Sequence, residues 1–209
     1  MEIAFIGIGN VGFALANNLQ KLGHKIVVAN DNVNSKSVQK AVSQNPNLIQ
    51  SSVQKAVDEA EMVFLAVPFA VVKDVLSKID FVGKILVDCT NPVGPGISHS
   101  LDSKISGSEK IQEWTPSAKV VKAFTIYGFE NFEETSYPAY GQKPVMLIAS
   151  DYMEAKVSLT PIINSLGFKT KDTGPLSQAL HLEHMTLLWV KMVRRDGHHP
   201  NFVWGYMER

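Results

Sequence analysis

Short apolar segments alternate with amphipathic segments along most of the chain. Residues 3–6 form a continuous apolar run, and glycines separate it from residues 11–22, where apolar side chains recur every three or four positions as on one face of a helix. The later apolar runs are also continuous, as expected for strands that are covered on both faces. Strands are predicted at 3–6, 25–29, 48–49, 62–67, 84–88, 119–124, 145–149 and 168–171.

Helical patterns occupy most of the stretches between these strands. They predict helices at 11–22, 35–43, 52–60, 69–79, 153–166 and 176–194. This alternation predicts an α/β fold of the Rossmann type, a doubly wound and mostly parallel sheet with a small C-terminal helical extension. We expect residues 1–172 to form the α/β domain and residues 173–209 the extension. Because Phe202, Trp204 and Tyr206 make the tail aromatic, we expect it to pack on something.

Composition restricts the function classes. The chain has 209 residues, 45% apolar and 19% charged, which is typical of a globular protein. Its 20 basic and 20 acidic residues give a formal net charge of zero, so no basic excess favours nucleic acid as a partner. The one cysteine, Cys89, fits a reducing compartment. Without a signal-peptide pattern or an apolar run long enough for a membrane span, we expect a cytoplasmic protein and no membrane partner.

The strongest chemical signal is a glycine motif between the first strand and the first helix. It reads Gly7-Ile8-Gly9-Asn10-Val11-Gly12, the spacing of a dinucleotide-binding turn. In such turns the first glycine permits the tight turn, the second lets a pyrophosphate approach, and the third allows close packing of helix on strand. The helix N-terminus then offers free N–H groups to the phosphates. We predict NAD(P) binding by the α/β domain; the alternative is a glycine turn that only packs.

The end of the second strand usually decides between NAD and NADP. A carboxylate there binds the ribose hydroxyls, and a basic residue accepts a 2′-phosphate. The chain has Asn30 at the usual carboxylate position and Asp31 one place later. Asp31 would repel a phosphate if it faced the ribose, but it could equally be a loop residue or a helix cap. Because Ser35 and Lys36 could bind a 2′-phosphate from the next turn, the choice between NADP and NAD stays open.

Several segments together resemble one family. Besides the glycine motif they are, in order, Gly23-His24-Lys25-Ile26-Val27-Val28, Ala66-Val67-Pro68, Asp88-Cys89-Thr90-Asn91-Pro92, Lys119-Val120-Val121-Lys122-Ala123-Phe124 and Asp172-Thr173-Gly174-Pro175-Leu176-Ser177. The chain resembles the NADP oxidoreductases that depend on the deazaflavin coenzyme F420, together with their bacterial dinucleotide-binding relatives. The cytoplasmic domain of six-transmembrane ferric reductases is similar too. The resemblance implies hydride transfer between a nicotinamide dinucleotide and a deazaflavin or flavin.

The chain departs from that family's pattern at two places. Family members commonly carry Ser-Arg or a similar phosphate-binding pair after the second strand, where this chain has Asp31 and Asn32. Many relatives also carry asparagine after the Lys-Ala-Phe segment, where this chain has Thr125. The first departure leaves NADP preference open. The second leaves the small-molecule redox partner open, because in the family that segment faces the second redox molecule.

Further cofactor-binding residues are predicted at strand ends, because ligands of open parallel sheets bind beyond the carboxyl ends of the strands. Asn91 and Thr125 could donate hydrogen bonds to the nicotinamide amide. The prolines could equally only end strands, and the two phenylalanines could equally be core residues. The predicted set is Val67, Pro68, Phe69, Asn91, Pro92, Ala123, Phe124 and Thr125.

The sequence shows no acid–base constellation, so catalytic residues stay unassigned. His181 and His184 lack further ligands nearby, and no metal site is predicted. Lys122, Lys156 and Lys191 are expected at the surface. Hydride transfer between two cofactors requires juxtaposition and exclusion of water more than a protein acid.

Two alternatives to a flavin-linked oxidoreductase stay open. One is a dinucleotide-binding redox sensor without turnover. The other is a dehydrogenase of a small substrate, which is disfavoured because such enzymes carry a large helical second domain and the chain after Asp172 holds about one long helix. That helix and the aromatic tail predict a homodimer that packs across them, and the resemblance implies the same.

Overall fold

Strands and helices alternate through the computed structural model, which describes residues 1–32 and 34–209. The strands are β1 (Glu2–Ile6), β2 (Lys25–Ala29), β3 (Ile49–Ser51), β4 (Met62–Leu65), β5 (Ile85–Asp88), β6 (Val93–Gly94), β7 (Ser98–His99), β8 (Lys119–Lys122), β9 (Val145–Ile148) and β10 (Lys169–Asp172). The helices are α1 (Asn10–Lys21), α2 (Lys36–Gln44), α3 (Val53–Glu59), α4 (Phe69–Leu76), α5 (Gly107–Trp114), α6 (Glu130–Glu133), α7 (Met153–Ser165) and α8 (Ala179–Val190). Every element that the apolar pattern predicted is present, with ends shifted by a few residues.

Six strands form one sheet in the order β3-β2-β1-β4-β5-β8. All five neighbouring pairs are parallel. The chain therefore starts near the middle of the sheet and winds outward to one edge and then to the other, which brings the carboxyl ends of β1 and β4 side by side. The predicted doubly wound α/β fold is confirmed.

Helices cover both faces of this sheet. Because successive side chains of a strand point to opposite faces, Ile3 and Phe5 belong to one apolar core while Ala4 and Ile6 belong to the other. Residues of α1, α2 and α7 complete the first core, and residues of α3, α4 and α5 complete the second. This burial on two sides is the physical reason for the continuous apolar runs in the sequence.

The C-terminal part of the chain extends the main sheet. β9 and β10 form a parallel pair that joins β8 through an antiparallel bridge between Lys122 and Ala149. The tail then pairs with β9, since the Val145 N–H donates to the Trp204 carbonyl at 2.9 Å. Trp204 packs against the core, as expected from its aromatic character. The predicted boundary between residues 172 and 173 coincides with the end of β10 and stays a prediction.

Two helices were not predicted, and one differs in form. α5 begins with a capping box, in which the Glu109 N–H donates to Ser106 Oγ and the Ser106 N–H donates to Glu109 Oε2. That Ser-x-x-Glu signal was present in the sequence. The short α6 has no comparable signal.

The predicted helix 176–194 is a 3-10 turn at Leu176–Gln178, then α8, then a wider π-helical turn at Lys191–Arg195. Within the described ranges, no helix is long and apolar enough to span a membrane.

Candidate functional site

The glycine loop connects β1 to α1, and the fold itself requires two of its glycines. Gly7 has a φ of +97°, and a Cβ there would lie 2.6 Å from the Ala66 carbonyl oxygen of the neighbouring strand end. A Cβ on Gly12 would lie 2.2 Å from the Gly7 carbonyl oxygen. The tight turn and the close packing of α1 on the sheet therefore both depend on the missing side chains.

Gly9 is different because the fold leaves space around it. Its φ of −72° is open to any residue, and a Cβ there would meet no heavy atom of the described residues within 4 Å. This exposed space lies at the N-terminus of α1, where the first backbone N–H groups have no partner within the helix. The first turn of α1 contains no acidic residue. The loop thus offers an open cradle to an anionic group such as a pyrophosphate.

A cavity of about 760 Å³ adjoins this cradle. It extends from the glycine loop across the carboxyl ends of β1, β2 and β4, and apolar side chains of α4 form part of its wall. Its volume lies in the usual range of small-molecule and cofactor sites, about 300–1,000 Å³. The predicted residues that line it are Gly7, Ile8, Gly9, Asn30, Asp31, Val67 and Pro68.

The residues after β2 form the far end of the cavity. Asp31 caps α3, because its Oδ1 accepts the Val53 N–H at 2.9 Å, and it lines the cavity as well. The Asn30 side chain accepts the Asn32 N–H at 2.8 Å and so holds the turn. Ser35 and Lys36 stand at the start of α2 and are not among the described lining residues. Ser37 and the exposed Lys78 line the cavity instead.

Two of the remaining strand-end residues lie next to α8. Asn91 follows β5, Thr125 follows β8, and Thr186 lies on α8; we call these three residues the polar cluster. Asn91 Oδ1 accepts hydrogen bonds from both hydroxyls, with Thr186 Oγ1 at 3.0 Å. Thr186 Oγ1 also lies 2.7 Å from the Thr125 carbonyl oxygen. The sequence predicted Asn91 and Thr125 at this place but gave no indication of Thr186.

Three predicted residues have their side chains committed to packing. Phe124 is 1% exposed, and its ring lies between those of Phe64 and Phe132 at centroid distances of 5.7 and 5.8 Å. Its φ of +53° is left-handed, an uncommon conformation for a bulky residue, which turns the chain sharply after β8. Phe69 packs against Trp114 at 6.1 Å, and Ala123 is fully buried. Both phenylalanines therefore act as packing residues.

A set of buried ionised side chains lies next to the polar cluster. Lys122 Nζ is 3.0 Å from Asp88 Oδ2, 3.2 Å from Glu183 Oε1 and 2.5 Å from the Thr90 carbonyl oxygen. We call Asp88, Lys122 and Glu183 the buried ion cluster, since none of their side chains is more than 1% exposed. The expectation that Lys122 lies at the surface is wrong, and so is the same expectation for Lys156, which is 8% exposed.

Neighbouring groups satisfy both carboxylates of the buried ion cluster. Asp88 accepts from Ser108 Oγ at 2.6 Å and from the Thr90 N–H and hydroxyl at 2.8 and 2.7 Å. Glu183 accepts the Gly107 N–H at the start of α5 at 3.0 Å and lies 2.8 Å from His99 Nε2. Each carboxylate therefore has hydrogen-bond partners besides the lysine, as buried charges require.

The facing carboxylates favour a charged lysine, and hydrogen bonds indicate which ring nitrogen of His99 carries a proton. Burial lowers the pKa of Lys122, but the facing carboxylates of Asp88 and Glu183 raise it, and the net direction is upward. His99 Nδ1 accepts the Leu101 and Ser103 N–H groups, each at 3.3 Å, so its ring proton is on Nε2 and donates to Glu183. That these side chains lie together was not predicted from the sequence.

Comparison with known proteins finds one family model that matches part of the chain. The family model described as NADP oxidoreductase, coenzyme F420-dependent, matches residues 2–92, which include the glycine loop, the Asp31 turn and Asn91. The match covers the N-terminal part of the chain. The resemblance predicted from the sequence is therefore confirmed.

Individual proteins are similar to this chain as well. The metalloreductase STEAP3 of Rattus norvegicus is 29% identical over 187 residues, which is 89% of this chain and 36% of the rat protein. A structure from Arthrobacter sp. FB24, provisionally named an F420-dependent NADP-reductase, has a TM-score of 0.84 at 23% identity over 100% of both chains. A reductive aminase from Aspergillus terreus, in complex with NADPH and ethyl levulinate, has a TM-score of 0.67 at 16% identity over 92% of this chain and 61% of its own. At these identities the two structures show the fold.

Proposed function

We propose that this protein is an NAD(P)H-dependent oxidoreductase that transfers a hydride between a nicotinamide dinucleotide and a flavin or deazaflavin. The observation that carries the proposal is the open space at Gly9, which stands at the N-terminus of α1 and adjoins the 760 Å³ cavity. A pyrophosphate would occupy the cradle, the adenosine would enter the cavity, and the nicotinamide would reach the polar cluster. The bound nicotinamide supplies the hydride, and the chain holds it in place.

The test is a set of hydride-transfer assays on the purified protein. NADH and NADPH would each be mixed anaerobically with coenzyme F420, FMN or FAD, and the nicotinamide absorbance followed. We expect oxidation with at least one acceptor, and a rise in thermal stability with the dinucleotide alone. A stability gain without any turnover would instead favour the redox sensor. Turnover with an imine, but with none of the three flavins, would favour a small-substrate reductase.

We also propose that the cavity accepts NADH at least as well as NADPH. The Asp31 carboxylate lies after β2, where the adenosine ribose of such cofactors binds, and the Val53 N–H fixes it there. A 2′-phosphate at this place would face that carboxylate. Lys78 is the basic side chain among the described lining residues, and it is exposed on the chain segment after α4.

Asp31→Asn should shift cofactor choice toward NADPH. The amide oxygen can still accept the Val53 N–H and cap α3, so the change removes the charge and preserves the local fold. We expect the NADPH:NADH affinity ratio to rise by about 1–2 kcal/mol, roughly 5- to 30-fold, measured by titration calorimetry. Asp74→Asn, which removes another carboxylate from the same cavity, is the control. A ratio that moves equally in both variants would mean that Asp31 does not face the ribose.

We further propose a cytoplasmic homodimer with a small-molecule redox partner. The sequence supports the location through its single cysteine. Leu188 on α8 is 49% exposed, which supports an interface on that helix, whereas Trp189 is buried and stacks on Phe202 within the same chain. The interface would therefore use α8 rather than the tail aromatics. Light scattering that gives a monomer at micromolar concentration would contradict this.

A further inference from the structure

The buried ion cluster and the polar cluster have the same spacing along the chain. Asp88, Lys122 and Glu183 each stand three residues before one member of the polar cluster: Asn91, Thr125 and Thr186. Each member of the buried ion cluster therefore lies on the same chain segment as its polar counterpart. The first pair lies on β5 and the turn after it, the second on β8 and the turn after it, and the third on α8. The ion cluster thus joins the three chain segments that carry the polar cluster.

Two of these links can be followed atom by atom. The Thr90 N–H and hydroxyl donate to Asp88, and the Thr90 carbonyl accepts from Lys122, so the peptide preceding Asn91 is held from both sides. Glu183 and Thr186 lie one turn apart on the buried face of α8. The 3.2 Å contact between Lys122 and Glu183 consequently fixes the helix relative to β8.

We propose that the buried ion cluster is the positioning device of the nicotinamide half-site, and that it holds α8 so that Thr186 completes a hydrogen-bonding site for the nicotinamide carboxamide. The inference rests on the proposed dinucleotide binding. Thr186 is a binding residue in this account, and Lys122 and Glu183 are positioning residues.

The hydrogen-bond inventory of the polar cluster fits a carboxamide. Asn91 Oδ1 is occupied by the two hydroxyls, while Asn91 Nδ2 has only a long contact of 3.5 Å to the Thr125 carbonyl. Because Asn91 is partly exposed, this amide can donate to the carboxamide oxygen. Thr186 is 4% exposed, and its hydroxyl, which donates within the protein, keeps lone pairs that can accept from the carboxamide NH₂. Asn91 Nδ2 is the donor, and Thr186 Oγ1, which Asn91 Oδ1 holds in place, is the acceptor. Together they match the two ends of the ligand amide.

The buried ion cluster fixes the position of α8 more than it stabilises the fold. A buried ion pair contributes little net stability, because desolvation offsets the attraction between the charges. It does favour one arrangement, since any displacement of α8 would separate Lys122 from Glu183 in a region of low dielectric constant. Gly107 and His99 add two further directed bonds to the same carboxylate.

The double variant Lys122→Met/Glu183→Gln tests the positioning. It removes the pair and leaves the net charge of the cluster at −1, carried by Asp88, and the amide oxygen of the introduced glutamine can still accept from Gly107 and His99. Calorimetry would compare NADH with ADP-ribose, which lacks the nicotinamide. We expect the affinity for NADH to fall roughly tenfold, with that for ADP-ribose changed less than about twofold. Fluorescence of the bound reduced nicotinamide should change in parallel.

A matched control exists on the same strand. Lys119 on β8 pairs with Glu154 on α7 at 2.7 Å, in a partly exposed position. Lys119→Met/Glu154→Gln makes the same chemical changes there and should leave both affinities unchanged. Thr186→Val removes the proposed ligand hydroxyl without touching any charge, and it should reproduce the selective loss for NADH even if the double variant does not fold.

The outcomes are distinct. A selective loss for NADH in Thr186→Val, and in the double variant if it folds, supports the inference. Equal losses for both ligands, or unchanged affinities, would assign these residues a purely structural role and overturn it. If the wild-type protein binds neither NADH, NADPH nor ADP-ribose, the proposed function itself fails, and the inference fails with it.

Discussion

Replacing Gly9 by valine should abolish dinucleotide binding while leaving the fold intact. The φ of −72° suits valine, and its side chain would extend into space that no described residue fills within 4 Å of the Cβ. That space is where the pyrophosphate must approach the N-terminus of α1. We expect the affinity to fall at least about 100-fold, equivalent to roughly 3 kcal/mol, by calorimetry with NADH and NADPH. The melting temperature without ligand should change little.

Gly12→Ala provides the contrasting variant. Its Cβ would collide with the Gly7 carbonyl at 2.2 Å, so we expect it to destabilise the protein even without ligand. The Gly9 substitution should thus weaken binding, whereas the Gly12 substitution should weaken folding. A Gly9→Val protein that keeps the thermal shift of the wild type would show that the glycine loop does not hold a pyrophosphate.

Replacing Lys122 alone by methionine should be strongly destabilising. The change leaves Asp88 and Glu183 buried without their shared cation, and methionine fills a similar volume without restoring a charge. Removing one partner of a buried pair typically costs about 3–5 kcal/mol. Urea denaturation should therefore show a large fall in the free energy of unfolding.

The control for this variant is Lys119→Met, three residues earlier on the same strand. Its partner Glu154 has a side chain that is 60% exposed, so water can replace the lost pair. We expect a change below about 1 kcal/mol. If both variants had equally small effects, the burial and pairing described for Lys122 would be contradicted.

The fold was largely predictable because its main signal is local. Residues 3–6 and 62–65 are apolar at every position, since both faces of their strands are covered, and the amphipathic α1 follows a recognisable turn. α6 was missed because its four residues show no period, whereas α5 was missed despite the capping signal at Ser106 and Glu109.

The candidate site was predictable only where a contiguous motif forms it. Gly7, Gly9 and Asp31 were found because their positions relative to β1 and β2 carry the chemistry. Lys122 and Glu183 were missed because their partners come from segments far apart in sequence. A signal existed nonetheless: Lys122 stands between the buried apolar pairs 120–121 and 123–124, and a lysine there requires a carboxylate nearby.

The position of Glu183 near the end of the chain has a consequence for the order of folding. During synthesis the six strands of the main sheet emerge first, while His99 and the Gly107 N–H still lack the carboxylate that later accepts from them. Until α8 leaves the ribosome, Lys122 has Asp88 as its carboxylate and Glu183 is absent. We therefore expect the sheet to reach its final packing late, when α8 docks. Ribosome-bound chains that end at β10 should accordingly be more sensitive to protease than the complete chain.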